Sequence, residues 1–131
     1  MKAYRKPATV KDLRENGRIT LALGEVTGHH HSIYADTDTD TLADAEYFEE
    51  PDGRRVLLAS KPCILRHQEH GCISVVPDDA ARGALGERDA KGRLIGQYRQ
   101  GDVLLHPIGC GVWEHRRQRE YTPEAVRYVV D

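Results

Sequence analysis

The chain has 131 residues, of which 39% are apolar and 31% charged, and a formal net charge of −2. Those values fit one soluble domain with a single modest core and are too small for two. The slight acidity disfavours a whole-domain nucleic-acid footprint, which is basic. No apolar run approaches the roughly 20 residues that span a bilayer, so no membrane partner is expected.

Residues 1–7 have no apolar stretch behind them, so no signal peptide is expected and the setting reads as cytoplasmic. Cys63, Cys72 and Cys110 are odd in number and irregularly spaced, which predicts reduced thiols rather than a disulfide framework. Cys110, between Gly109 and Gly111, reads as the exposed one, and the other two as small buried apolar residues. Seven histidines against one Phe and one Met are the unusual feature of the composition.

In chain order, residues 10–16 read as a short helical turn stopped by Gly17. Residues 19–23 alternate with the period of a strand. Gly24 and Gly28 bracket a tight bend. Residues 29–34 read as a second strand, with His29, His31 and Ile33 on one face and His30, Ser32 and Tyr34 on the other. The acidic Asp-Thr run from Asp36 reads as a solvated loop. Residues 46–49 and 55–59, joined by the Asp52-Gly53 turn, form the clearest hairpin. Residues 64–66 and 72–76 are further strands.

Residues 77–93, rich in Asp, Ala, Gly and Arg, read as a surface insertion with one helical turn at 79–82. Strands resume at 94–98, 102–105 and 112–115. Thr122-Pro123-Glu124 is a helix-start signature. Many short strands with turn signals predict one all-β, mostly antiparallel domain over residues 1–131, a small barrel or sandwich with one or two short helical turns.

The candidate chemistry lies in the histidines. A His-x-His pair on a strand puts both imidazoles on one face, so His29 and His31 are the better ligands of their triplet and His30 the bystander. His67 and His70 flank Gln68-Glu69, and a turn ending at Gly71 would let them converge. Two such pairs with a nearby carboxylate suit zinc, iron, nickel, copper or manganese. The spacing of His67-Gln68-Glu69-His70 is not that of the helical metalloprotease motif, which sets its histidines four apart. Asp36, Asp38 and Asp40 imitate a calcium loop, but Thr41 and Tyr47 replace the Gly and Glu it needs.

Residues 115–119 form a basic run near Trp113 and Tyr121. It is either a solvated edge or an anion contact, since Arg binds phosphate oxygens bidentately. On a strand, Arg117 and Arg119 share a face with His115, and Arg116 lies opposite. The ligands this admits are a small anion or a nucleotide, and a phosphodiester stays among them.

Gly101, Pro107 and Gly109 resemble the second cupin motif, and His29-His30-His31 the first. The likeness is partial: Val112 stands where the final cupin histidine belongs, and the histidine triplet is one residue too near Gly24. Three segments, residues 21–31, 65–71 and 117–127, together resemble a family of small bacterial and phage-borne proteins. The strings Glu25-Val26-Thr27-Gly28-His29 and Gln118-Arg119-Glu120-Tyr121 carry that likeness. It implies that His29, His31, His67, His70 and residues 118–121 belong to one site, and it implies no activity. A segment like 100–105 stands at the N-terminus in that family and here follows residues 77–93, a departure in strand order.

Two functions follow as expectations. In a metal-dependent hydrolase, His29, His31, His67 and His70 hold the ion, Glu69 or Glu120 accepts a proton from its water, and Arg117 and Arg119 with Tyr121 hold an anionic substrate. In a non-enzymatic metal-binding or interaction module, four histidines close the site.

Overall fold

The computed structural model describes residues 3–23, 29–35, 38–68 and 71–117, the side chains of 38–40 excepted. The elements are β1 (Lys11–Asp12), β2 (Ile19–Leu23), β3 (His30–Ala35), β4 (Asp38–Leu42), β5 (Ala45–Glu49), β6 (Arg55–Ala59), β7 (Cys63–Arg66), β8 (Ile73–Val75), α1 (Pro77–Ala84), β9 (Tyr98–Gln100), β10 (Val103–Gly109) and β11 (Val112–Arg117).

They form two sheets. The first has six strands in the order β1-β5-β6-β11-β10-β9. The second runs β2-β3-β7-β8, with β4 paired to the end of β3. Every pairing is antiparallel. The sheets share one core: Tyr47, Leu57, Val103, Leu105 and Trp113 from the first meet Ile19, Leu21, Ile33, Leu65 and Val75 from the second. That is a sandwich, so the barrel alternative does not hold among the described residues.

Burial follows the strand period. In β2, Ile19 and Leu21 are buried while Thr20 is exposed. The first sheet is covered on both faces, which is why the adjacent Val56 and Leu57 of β6 are both buried. Leu57 faces the common core, whereas Val56 joins Phe48 and Val112 under Tyr4 and Val10 of the N-terminal segment. The Tyr4 hydroxyl donates to Glu50 at 2.7 Å and ties that segment down. The expected hairpin is present, with Gly53 at φ 91° in its turn.

Several local expectations need correction. Residues 10–16 are not helical: β1 pairs with β5, and Glu15 bridges Arg18 around Asn16 and Gly17. Pairing to a neighbouring strand overrides a weak local helix preference. The Asp-Thr run is not wholly loop, because β4 takes residues 38–42, while 36 and 37 lie outside the described residues. The strand read over 94–98 is displaced to Tyr98–Gln100, and Leu94–Gln97 turns instead. The bend at 24–28 and the helix start at 122–124 lie outside the described residues.

Residues 77–84 form two turns of helix rather than one, and Pro77, Ala80 and Gly83 are buried against the sandwich. Close approach explains the small residues. A Cβ on Gly83 would stand 1.8 Å from the Ile95 carbonyl oxygen, and one on Gly96 2.4 Å from that of Asp79. The Gly96 carbonyl in turn accepts from the Trp113 indole at 2.8 Å. Among the described residues no helix is long and apolar enough to cross a membrane.

Candidate functional site

Ser32 lies opposite Arg66 and Ile33 opposite Leu65 in the β3–β7 pair. One further step in that register sets His31 against His67, on the face that carries Ile33 and Leu65 into the core. The two imidazoles stack with centroids 4.2 Å apart and planes 27° apart. His29 meets His67 edge-on at 5.6 Å. His31 and His67 are only 4% and 6% exposed. The His30 backbone N–H donates to the Gln68 side chain at 2.8 Å, which binds the two histidine segments together. The His30 ring turns the other way and meets the Ser32 hydroxyl at 2.5 Å.

Gln100, at the end of β9, reaches this cluster from the other sheet. Its amide nitrogen donates to the Leu65 carbonyl at 3.1 Å and the Gly71 carbonyl at 2.9 Å. Both amide hydrogens are thereby engaged, so the amide oxygen is what faces His31 Nδ1, 2.9 Å away. An oxygen there requires a proton on Nδ1. In the uncharged ring that leaves the lone pair on Nε2, the orientation in which a histidine binds metal.

The facing wall belongs to β11, β6 and β5. Arg55 pairs directly with His115, and Glu49 with Arg55, so the three share the inner face. Arg117 and Gln100 both stand opposite Val103, one step along on that face. His115 is 3% exposed, and its Nδ1 lies 2.7 Å from the Tyr47 hydroxyl. Burial first, then the charges of Arg55, Arg117 and His31, push the His115 pKa down to about 3, so the ring is neutral near pH 7. Burial pushes the Tyr47 hydroxyl up to about 12, although the charge of Arg55 opposes the shift. His115 Nε2 is buried and has no hydrogen-bond partner among the described residues.

Of the sequence-derived candidates, the structure brings His29, His31 and His67 together and places Arg117 exposed at the end of β11 on the face of His115. Arg116 lies on the other face, in an ion pair with Glu114 at 3.0 Å. His70, Glu69, Arg119, Glu120 and Tyr121 lie outside the described residues. Among the described residues, no group of three or more His, Cys, Asp or Glu is set to hold a metal ion.

Gln100, Tyr47, Arg55 and His115 were not candidates from sequence. For His115 the signal was available, because alternation along residues 113–117 puts it on the buried face of Trp113. A single glutamine at a strand end carries no such signal.

No curated protein and no solved structure matches the chain. A family described as a domain of unknown function (DUF8820) matches residues 2–77. The matched span holds β1 to β8, and so both histidine segments, while β9 to β11 with Gln100, His115 and Arg117 lie beyond it. The match covers more than half of the sequence, and the chain belongs to that family, DUF8820.

Proposed function

We propose that the protein binds one divalent transition-metal ion at the His29–His31–His67 cluster, with His70 completing the donor set. The supporting observation is the convergence of two histidine segments on one buried face, with Gln100 selecting the tautomer that leaves His31 Nε2 a ligand. Stacked rings are not yet coordination geometry. Ligand nitrogens around tetrahedral zinc stand about 3.3 Å apart, given bonds of about 2.0 Å. Rings stacked at 4.2 Å are near that separation, and a side-chain rotation that tilts them apart would converge their nitrogens. Zinc, iron, nickel and manganese are the candidate ions.

With an open coordination position, the site is that of a metal-dependent hydrolase acting on a small anionic substrate or nucleotide. A bound ion would supply acidified water there, Glu69 or Glu120 would accept its proton, and Arg117 with Arg119 and Tyr121 would hold the anion. The deep burial of His31 and His67 favours a second reading, a closed structural site in a non-enzymatic binding module.

Elemental analysis with zinc titration of wild type and His67→Ala tests the metal. One equivalent in wild type and none in the variant is the expected result. Turnover of small phosphate and carboxylate esters by the loaded protein, lost in Glu69→Gln or Glu120→Gln, separates hydrolase from closed site.

A further inference from the structure

The wall facing the histidine cluster holds a buried ring nitrogen, His115 Nε2, that lacks a partner among the described residues. The Tyr47 hydroxyl lies 2.7 Å from His115 Nδ1. A phenol that donates there leaves Nδ1 without a proton, and the proton of the neutral ring is then on Nε2. That N–H is buried and unpartnered among the described residues. A buried donor left unpaired is unfavourable, so this one calls for an acceptor beyond the described residues.

The charge around it identifies the acceptor. Arg55 stands directly opposite His115, and Arg117 lies two residues along the same strand on the same face. Glu49, beyond Arg55 in the same row, is the one carboxylate there among the described residues, so the two guanidinium groups leave the wall net positive. A carboxylate presents two oxygens, which one guanidinium can satisfy. Three donor groups from two strands match the three oxygens and near-double charge of a phosphoryl group.

We propose that His115, Arg55 and Arg117 form an oxyanion pocket that binds a phosphoryl group, as free phosphate or as the end of a small phosphate ester. This narrows the anionic substrate of the hydrolase reading and rests on that reading for its purpose, but binding itself requires no metal. Tyr47 acts as a positioning residue that sets the His115 tautomer.

The test is a titration of chelator-treated protein with inorganic phosphate at low salt, followed by calorimetry and by the nitrogen resonances of the His115 ring. The expected result is saturable binding of one phosphate, with the protonated Nε2 signal shifting. Arg117→Ala should weaken it by at least about tenfold, with Arg116→Ala within about twofold of wild type, because only the first removes a charge-assisted contact. Acetate should bind at least about tenfold more weakly than phosphate. The pocket is overturned if phosphate does not saturate, if the two arginine variants behave alike, or if acetate matches phosphate. Zinc titration of the same proteins keeps the two readings apart. Loss of phosphate binding with zinc binding intact removes the pocket alone, and phosphate binding without zinc binding upholds it while removing the metal centre.

Discussion

His31 and His67 stack ring on ring at 4.2 Å, on the face that Ile33 and Leu65 use to fill the core. The hydrophobic pairing therefore sets the register that brings the imidazoles together. A one-residue slip of β7 would turn His67 to the opposite face.

Gln100 is expected to matter out of proportion to its size. Gln100→Leu removes the oxygen that orients His31 and leaves the Leu65 and Gly71 carbonyls without their amide donor. Stability should fall by about 1–3 kcal/mol. Zinc affinity should fall by about 10- to 100-fold, the usual effect of losing an outer partner of a ligating histidine. Urea unfolding and zinc titration measure the two effects. Unchanged zinc affinity in a folded variant would mean that the Gln100 contact does not prepare His31.

Burial and the neighbouring Arg55, Arg117 and His31 hold the His115 pKa at about 3, against 6.5 for an ordinary histidine. Among the described residues, Tyr47 and Glu49 are the other titratable groups on that wall. With a depressed folded-state pKa, the unfolded chain binds the extra proton between pH 3 and 6.5. Stability from this group is thus complete above pH 6.5 and is lost as pH falls toward 3, by on the order of a few kcal/mol. Metal-free His115→Gln should show a flatter stability profile across that window than metal-free wild type. Parallel profiles would place His115 in contact with water.

Gly83 sits inside α1, where alanine would ordinarily stabilise a helix by about 1 kcal/mol. Here the added Cβ would collide with the Ile95 carbonyl and the Pro107 ring. Gly83→Ala should therefore destabilise the protein by about 2 kcal/mol, read from the urea midpoint. A more stable variant would show that α1 does not pack on the 94–97 turn.

Cys63 is buried, and Cys72 and Cys110 are exposed. Two thiols should react with an aromatic disulfide reagent in native protein, and the third only after unfolding. Exposure of Cys72 corrects the expectation that Cys110 alone would be accessible. Three equally fast thiols would contradict the burial of Cys63.

Much of the fold was legible because strand period is local. The alternation along residues 19–23 and the Asp52-Gly53 turn each specify their own element. The same alternation put His29 and His31 on one face, as found. Long-range packing was not legible. Nothing near Lys11 announces that β5 will pair with it, and Gly83 reads as a flexible loop residue until Ile95 is seen against it. Gln100 and Tyr47 stayed hidden for the same reason: each acts on a histidine far away in the chain.

The central claim is the metal centre, and its most direct test is metal stoichiometry. Purified wild type, stripped and then titrated with zinc, iron, nickel and manganese in turn, should take up close to one equivalent of at least one ion with a rise in melting temperature. His67→Ala should take up none. A folded, stripped wild type that shows neither uptake nor a thermal shift with any of the four would contradict the account.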